Sequence, residues 1–523
     1  MSLVALILIL FAATAALRLL ADRSGVPLPT LLVLGGLAIA LTPGLPVLTL
    51  DPKTIFLIFI PPLLFWTALS TSLRDLKRNL RAITLLALWL VLLTMAIVAV
   101  VAHALIPQLP WALCFVLGAI VSPPDAVAVT ASTRRLNLPR TVLVILEGES
   151  LMNDATALVA YQIALTAAVA GTFSLPKAGA ELILTGAGGI AVGLAAGWCV
   201  GWLRTHMTRS SVVENTVSLL SPFIAFVPAD ELGCSGVLAV VAMGLYFGRA
   251  GTRFVGAQTR LQAQAMWEML TFLLEGLIFI FIGLQLPQVV HALDAGTLTH
   301  LIIVSLFIVA AMIVTRIVWM FPGAYLPRWL DRKLGRRTTP YPPWRSVLFL
   351  GWAGIRGGDS LVIALALPYV GLHGAPLPGR NVIIFITFVV ILVTLVVQGL
   401  TLAPVIRWLR VFGGNEEEKE ERHARAASIE AGAEALSRLA AREKDGAEAV
   451  GALQRTAAYW RQRVAHPDDS SASYLRLRLG MLAAERESVI AMRDRGEIAD
   501  AVMIRLQREF DHEEVLLHQR FRE

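Results

Sequence analysis

Three short strings place charged and oxygen-bearing side chains inside stretches that are otherwise apolar: Ser122-Pro123-Pro124-Asp125, Glu147-Gly148-Glu149-Ser150-Leu151-Met152-Asn153-Asp154 and Gly354-Ile355-Arg356-Gly357-Gly358-Asp359-Ser360. A hard monovalent cation needs oxygen ligands, at least one negative charge, and backbone free to turn carbonyls inward. These strings supply all three. Ser150 and Asp154 are four apart, so on a helix they share a face and present a hydroxyl and a carboxylate together. Asn153 adds an amide dipole beside them. Pro123 and Pro124 each remove a backbone donor and strain the turn before them, which predicts a helix break beside Asp125. The glycines around Arg356 predict a second break. Irregular backbone at membrane depth is tolerated only within protein or beside a cavity.

A charged side chain at a bilayer centre costs about 2.5 to 3.5 kcal/mol, so each one asks for a partner or a purpose. A lone Asp can be a helix cap; two clusters of this kind argue for a site. Arg356 needs a counter-ion, and Glu149 is the expected partner with Asp359 as competitor. Such a clamp is structural, because a paired charge has little capacity left for a mobile cation. Glu275 and Arg316 are single charges in the tenth and eleventh apolar runs, and their spacing reads equally as functional or structural. His103, His291 and His300 fall at the ends of runs or in loops and receive none.

The elements that must position these residues are long helices. Of the 523 residues 56% are hydrophobic and 16% charged, against roughly a quarter charged in soluble globular chains. Crossing a hydrocarbon core about 30 Å thick takes roughly 20 helical residues. Runs of that length fill the chain to Leu409, at about 2 to 21, 29 to 45, 54 to 72, 81 to 105, 111 to 132, 141 to 170, 178 to 203, 212 to 228, 233 to 249, 266 to 287, 298 to 321, 345 to 370 and 381 to 409. The first lacks a basic n-region and is kept as a span rather than a cleaved signal.

Alternate loops hold the basic residues: Arg18 and Arg23; Arg74, Lys77, Arg78 and Arg81; Arg134, Arg135 and Arg140; Arg204 and Arg209; Arg249, Arg253 and Arg260; and Arg328 through Arg345. The other loops offer only Lys53, Lys177 and Arg380. Cytoplasmic loops carry the Lys and Arg excess, so the amino terminus is expected outside and the carboxyl tail inside, with an odd number of spans, about thirteen. The net charge of +7 is spread through these loops rather than gathered into a stripe, which argues against nucleic acid as a partner. Cys114, Cys199 and Cys234 sit in apolar runs and give neither a disulfide framework nor a metal spacing. The expected organisation is a membrane domain over 1–410 and a helical cytoplasmic tail over 411–523, with helix-like stretches at Ala426 to Ala441 and Tyr474 to Arg522. The tail holds no phosphate-binding loop or metal motif, and no cofactor is expected.

The strings SPPDAVAVT at Ser122 to Thr130, GESLMND at Gly148 to Asp154, FLLEGLIFIFIGLQLP at Phe272 to Pro287 and WAGIRGG at Trp352 to Gly358 together resemble the monovalent cation/proton antiporter family. That resemblance spans the whole apolar region. It implies an all-helical fold with inverted repeats and two broken crossing helices, alternating access, and a homodimer. It also implies that Asp154 binds sodium or a proton in turn, with Asp125 and Ser150 beside it and Glu149 and Arg356 as the buried clamp. Asn153, in place of a second acid, resembles the electroneutral branch. Potassium or lithium are alternative cargoes. Two positions depart from the family pattern: Trp66 follows Pro61-Pro62-Leu63-Leu64-Phe65 where relatives carry an acid, and Asp359 stands where they carry a small or aliphatic residue. Of the rivals, an intramembrane aspartyl protease should show Gly-x-Gly-Asp, whereas the nearest string reads Arg356-Gly357-Gly358-Asp359. A proton-coupled carrier of an organic solute would need a larger polar cavity.

Overall fold

The computed structural model describes residues 3–520 except 43–51, 134–135, 137, 171–174, 207–209, 255, 292, 294, 336–339, 370–376, 414–415, 441–446, 466–469, 496 and 499, and no strand occurs among them. Arg134, Arg135, Arg209, Arg336 and Arg337, counted above among the loop cations, lie outside the described residues. The chain forms two compact units, Met1–Gly413 and Gly414–Glu523.

The first unit runs α1 (Leu3–Ser24), α2 (Leu28–Ala40), α3 (Pro52–Ser70), α4 (Leu73–Thr84), α5 (Val91–Leu105), α6 (Trp111–Val121), α7 (Ala126–Thr133), α8 (Arg140–Ala170), α9 (Leu175–His206), α10 (Ser211–Glu231), α11 (Gly236–Phe254), α12 (Ala257–His291), α13 (Ala295–Lys333), α14 (Trp344–Trp352), α15 (Gly358–Leu365), α16 (Arg380–Val393) and α17 (Gly399–Leu409). A π-helical stretch at Leu85–Leu90 joins α4 to α5, and another at Thr394–Gln398 joins α16 to α17. Among the described residues the apolar runs fall on these helices, two of the runs being interrupted, at 122–125 and at 353–357. By length and composition, six helices among the described residues are able to cross a membrane.

The fourth run starts earlier than hydropathy predicts. Ser72 accepts a hydrogen bond from the Asp75 N–H at 3.2 Å, and α4 begins there. Its Leu73, Leu76 and Leu80 share one face while Arg74, Lys77, Arg78 and Arg81 take the rest. Charges that read as loop are one side of an amphipathic turn. Arg81 pairs with Asp331 at the end of α13, and Arg140 pairs with Asp75 at 2.9 Å, so the basic end of this region is cross-linked.

Glycines set the tightest packing. A Cβ on Gly36 of α2 would lie 2.2 Å from the Ile280 carbonyl oxygen of α12, and one on Gly283 of α12 would lie 2.2 Å from the Val33 carbonyl oxygen of α2. The two backbones therefore touch. Between apolar helices in lipid, where hydrophobic burial does not drive association, such close approach supplies the contact energy.

The second unit holds α18 (Glu416–Ala440), α19 (Ala447–Ala465), α20 (Ser470–Asp494) and α21 (Asp500–Arg520). The helix-like stretch expected over Tyr474 to Arg522 is thus two helices, α20 and α21, and α19 was not foreseen, although Val450, Leu453 and Ala457 recur at helical spacing. Arg461 of α19 pairs with Glu430 of α18 at 2.5 Å. Arg478 of α20 grips Glu513 of α21 with two nitrogens, at 2.7 and 2.8 Å, and Leu482 and Leu517 are buried. Hydrogen bonding from Arg478 holds the Glu513 carboxyl below the usual range.

Replacing Gly283 by alanine forces the α2 and α12 backbones apart, because the obstructing atoms are carbonyl and amide groups rather than flexible side-chain ends. Overpacking of this kind costs about 1–3 kcal/mol. The expected result is a clearly lower melting temperature in detergent. Gly432→Ala in α18, where an added Cβ meets nothing within 4 Å, should leave it unchanged or slightly raised.

Candidate cation site

Both expected breaks are present. Residues 122–125 separate α6 from α7, and 353–357 separate α14 from α15. They touch: the Asp125 N–H donates to the Ile355 carbonyl at 2.7 Å, and a Cβ on Gly357 would lie 1.9 Å from Asp125 Oδ2. The space that a side chain at 357 would fill is where the Asp125 carboxylate sits.

Four half-helix ends meet near this contact, and their charges are answered separately. The last carbonyls of α6 and α14 carry partial negative charge. Arg356 serves them, Nε donating to the Val121 carbonyl at 2.9 Å, Nη2 to that of Ser122 at 3.2 Å, and Nη1 to that of Gly354. The first N–H groups of α7 and α15 carry partial positive charge. Asp125 precedes α7, its Oδ1 accepting from the Ala128 N–H at 3.4 Å, and Asp359 lies in the first turn of α15. Ser150 of α8 accepts from the Ala126 N–H at 3.3 Å, which leaves its hydroxyl a second lone pair.

The π-helical stretch at 394–398 completes the second break. Thr394 Oγ1 accepts the Arg356 backbone N–H at 3.2 Å, and Gln398 Nε2 donates to the Trp352 carbonyl at 2.8 Å. The carbonyl of Leu395, within that stretch, takes the Thr30 hydroxyl at 3.3 Å. At the other π-helical stretch the Leu85 carbonyl takes Trp319 Nε1 at 3.2 Å.

The clamp differs from the one expected. Glu149 is engaged by Arg316 of α13, not by Arg356: Nη1 meets Oε1 at 2.5 Å and Nη2 meets Oε2 at 2.9 Å, with Arg316 2% and Glu149 1% exposed. Arg316 Nε donates to the Leu350 carbonyl at 3.1 Å. A planar guanidinium matches both carboxylate oxygens at once, so one arginine occupies Glu149. Arg356 lies in Coulombic range of Glu149 and Arg316 but spends its donors on carbonyls. Gly354 makes room for both cations, since a Cβ there would lie 2.6 Å from Arg316 Cδ and 3.0 Å from Arg356 Nη1. The sequence did hold a signal for Arg316: a lone arginine in a long apolar run must find a carboxylate. Spacing did not say which.

A cavity of about 1060 Å³ opens beside the breaks, lined by Asp125, Asp154, Asp359, Ser150, Glu147 and Glu275, and at another part of its wall by Arg18, Asp22 and Arg407. Asp125, Asp154 and Asp359 are half-buried on it. Arg18 and Asp22 pair at 3.2 Å. Asn153 does not line this cavity. It is fully buried, with Nδ2 donating to the Pro124 carbonyl at 3.1 Å, while Oδ1 has no partner among the described residues. One step along α8 turns its side chain about 100° away from that of Asp154, toward the break. Trp66 also lines the cavity and stacks on the buried Trp267, centroids 6.0 Å apart and planes 10° from parallel. Position 66, where an acid was expected by resemblance, is an aromatic wall.

Interrupted helices crossing beside a polar cavity define an all-helical membrane protein of the crossed half-helix type. The family profile described as "Sodium/hydrogen exchanger, transmembrane" matches residues 7–408. A Na(+)/H(+) exchanger of Mycobacterium tuberculosis strain H37Rv is 37% identical over 98% of this chain and 95% of its own. A sodium, potassium, lithium and rubidium/H(+) antiporter of Bacillus subtilis is 35% identical over 73% of this chain and 58% of its own. The sodium proton antiporter MjNhaP1 of Methanocaldococcus jannaschii shares the fold, with a TM-score of 0.58, 22% identity, and coverage of 76% of this chain and 100% of that one. The chain belongs to the sodium/hydrogen exchanger family.

Removing one partner of the buried pair strands a charge, at a cost of about 3–5 kcal/mol. Glu149→Gln and Arg316→Met should each destabilise strongly, with the double variant more stable than either. The same cycle run on Glu149 and Arg356 should show a smaller coupling. Melting temperatures in detergent separate the two, and the reverse order of couplings would restore Arg356 as the partner.

Proposed function

We propose that this protein is a sodium/proton antiporter of the cell membrane, exchanging a monovalent cation for a proton by alternating access with Asp154 as the shared binding group. The single observation that carries this reading is the cavity on which Asp154, Asp125 and Ser150 converge at the crossed helix breaks, in a chain of the sodium/hydrogen exchanger family. Sodium and a proton use the same lone pairs of a carboxylate, so one excludes the other. Asp125 and the second lone pair of Ser150 complete an oxygen shell. Glu149, Arg316 and Arg356 hold the breaks in shape and take no part in the cargo's contacts, while Asn153 holds the Pro124 carbonyl with Nδ2 and keeps its Oδ1 for the site.

In this reading the thirteen apolar segments are transmembrane spans, with the two broken ones belonging to inverted repeats. The amino terminus is outside and the unit from 414 onward is cytoplasmic. Arg18, Asp22 and Arg407, on the lining of the cavity, then lie toward the cytoplasmic side. A homodimer is the expected assembly. With Asn153 uncharged, one proton exchanges for one ion. Potassium is the second candidate cargo, since the Bacillus subtilis relative is named as an antiporter of sodium, potassium, lithium and rubidium.

Asp154→Asn should abolish sodium-driven proton release from inside-out vesicles while leaving folded protein in the membrane; normal release would sink the mechanism. In the wild type the apparent Michaelis constant for sodium should climb about tenfold per pH unit on the acid limb, because each unit multiplies the protonated fraction of the shared site by ten. A flat constant with all the loss in maximum rate would place pH control elsewhere. Sodium, lithium and potassium added in turn to a pH-dye assay would rank the cargoes. One-for-one exchange in sealed liposomes should be indifferent to an imposed membrane potential.

A further inference from the structure

Asp359 is the one acid at the helix breaks for which the family reading provides no task. It enters the cavity from the first turn of α15, on the break that faces Asp125, and Asp154 lies in Coulombic range of both. No basic side chain pairs with it among the described residues. Arg356, three residues earlier, is turned to the carbonyls of Val121, Ser122 and Gly354, and Arg316 is committed to Glu149. The cations on the cavity wall are Arg18, paired with Asp22, and Arg407. The other acids facing the cavity are Glu147, Glu268 and Glu275.

A helix amino terminus favours a nearby carboxylate by less than it costs to place a charge at membrane depth. The start of α15 therefore does not account for Asp359, and adding it to Asp125 and Asp154 makes the cost larger. A cation among the three acids removes it. A second observation points to a ligand at the same break: Asn153 Oδ1 is fully buried, belongs to the residue whose amide holds the Pro124 carbonyl, and has no partner among the described residues.

We propose that Asp359 is a third carboxylate of the transported-cation site, reaching it from α15 opposite α8 and setting both the affinity for sodium and the preference for small cations. The proposal rests on the reading of Asp154 as the shared site. Three carboxylates concentrate negative charge on a small volume, and a compact ion approaches them more closely than a large one, gaining more Coulomb energy.

The test uses the full chain, purified and reconstituted, with Asp359→Asn, Asp359→Glu and Asp154→Asn beside the wild type. Two readouts are taken: the apparent Michaelis constant for sodium, lithium and potassium, and the sodium concentration giving half the thermal stabilisation in detergent, which reports binding without transport. Asp359→Asn should raise the sodium constant about tenfold, the effect of one charge at a few ångströms in a partly screened site, with a much smaller change in maximum rate. The midpoint of stabilisation should rise in parallel, potassium should lose less than sodium, and Asp359→Glu should recover part of the difference. An unchanged sodium constant and midpoint in Asp359→Asn, with Asp154→Asn inactive, would overturn the role of Asp359 and leave the site standing. Exchange and sodium stabilisation surviving in Asp154→Asn would instead overturn the site reading. Should Asp359→Asn fail to fold, Asp359→Glu decides alone: an altered order of the three cations supports the proposal, and an unaltered order with unchanged constants refutes it.

Discussion

Backbone in hydrocarbon has no water to turn to, and the centre of this protein breaks two helices where that matters most. Each break releases carbonyls from one half-helix and N–H groups from the next, all of which need partners. Arg356, Thr394, Gln398, Asn153, Ser150 and Asp125 each hold such a group. The polar residues of the core are therefore mostly employed by the main chain. What remains for a cargo is the part of each side chain left over: carboxylate oxygens on the cavity, one hydroxyl lone pair, one amide oxygen.

The same constraint sorts the buried charges into sets that balance locally. Glu149 and Arg316 form a closed pair with both carboxylate oxygens used. Arg356 is balanced by carbonyl dipoles, and Asp125 and Asp359 sit at amino-terminal ends whose partial charge is opposite to their own. Acids in this core are thus distinguished by what already occupies their oxygens rather than by residue type: on α8, Glu149 has both oxygens taken by Arg316, whereas Asp154, five residues on, faces the cavity.

Much of this was legible in the sequence. Apolar runs located the helices because length and hydropathy are decided along the chain, and Pro123-Pro124 and the Arg356 glycines located the breaks because both act on their own backbone. Asp125, Ser150 and Asp154 were found by local spacing, and all three do line one cavity. Partner choice was not legible. Arg316 lies 167 residues from Glu149, and a string holding Arg356 beside glycines looks like the better mate until the crossing geometry turns it toward carbonyls. The basic face of α4 was read as loop for the opposite reason: its apolar side is narrow, and only packing shows that the charges share a helix with it. In the second unit α19 was missed although Val450, Leu453 and Ala457 recur at helical spacing, because no long apolar run marks it.

Gly357 couples the two breaks sterically. Its missing side chain is the seat of the Asp125 carboxylate, so the smallest residue at one break sets the position of an acid at the other. Substitution scales would rank alanine at 357 among the mildest of changes, yet its Cβ would have to displace that carboxylate, which binds together two positions 232 residues apart by numbering.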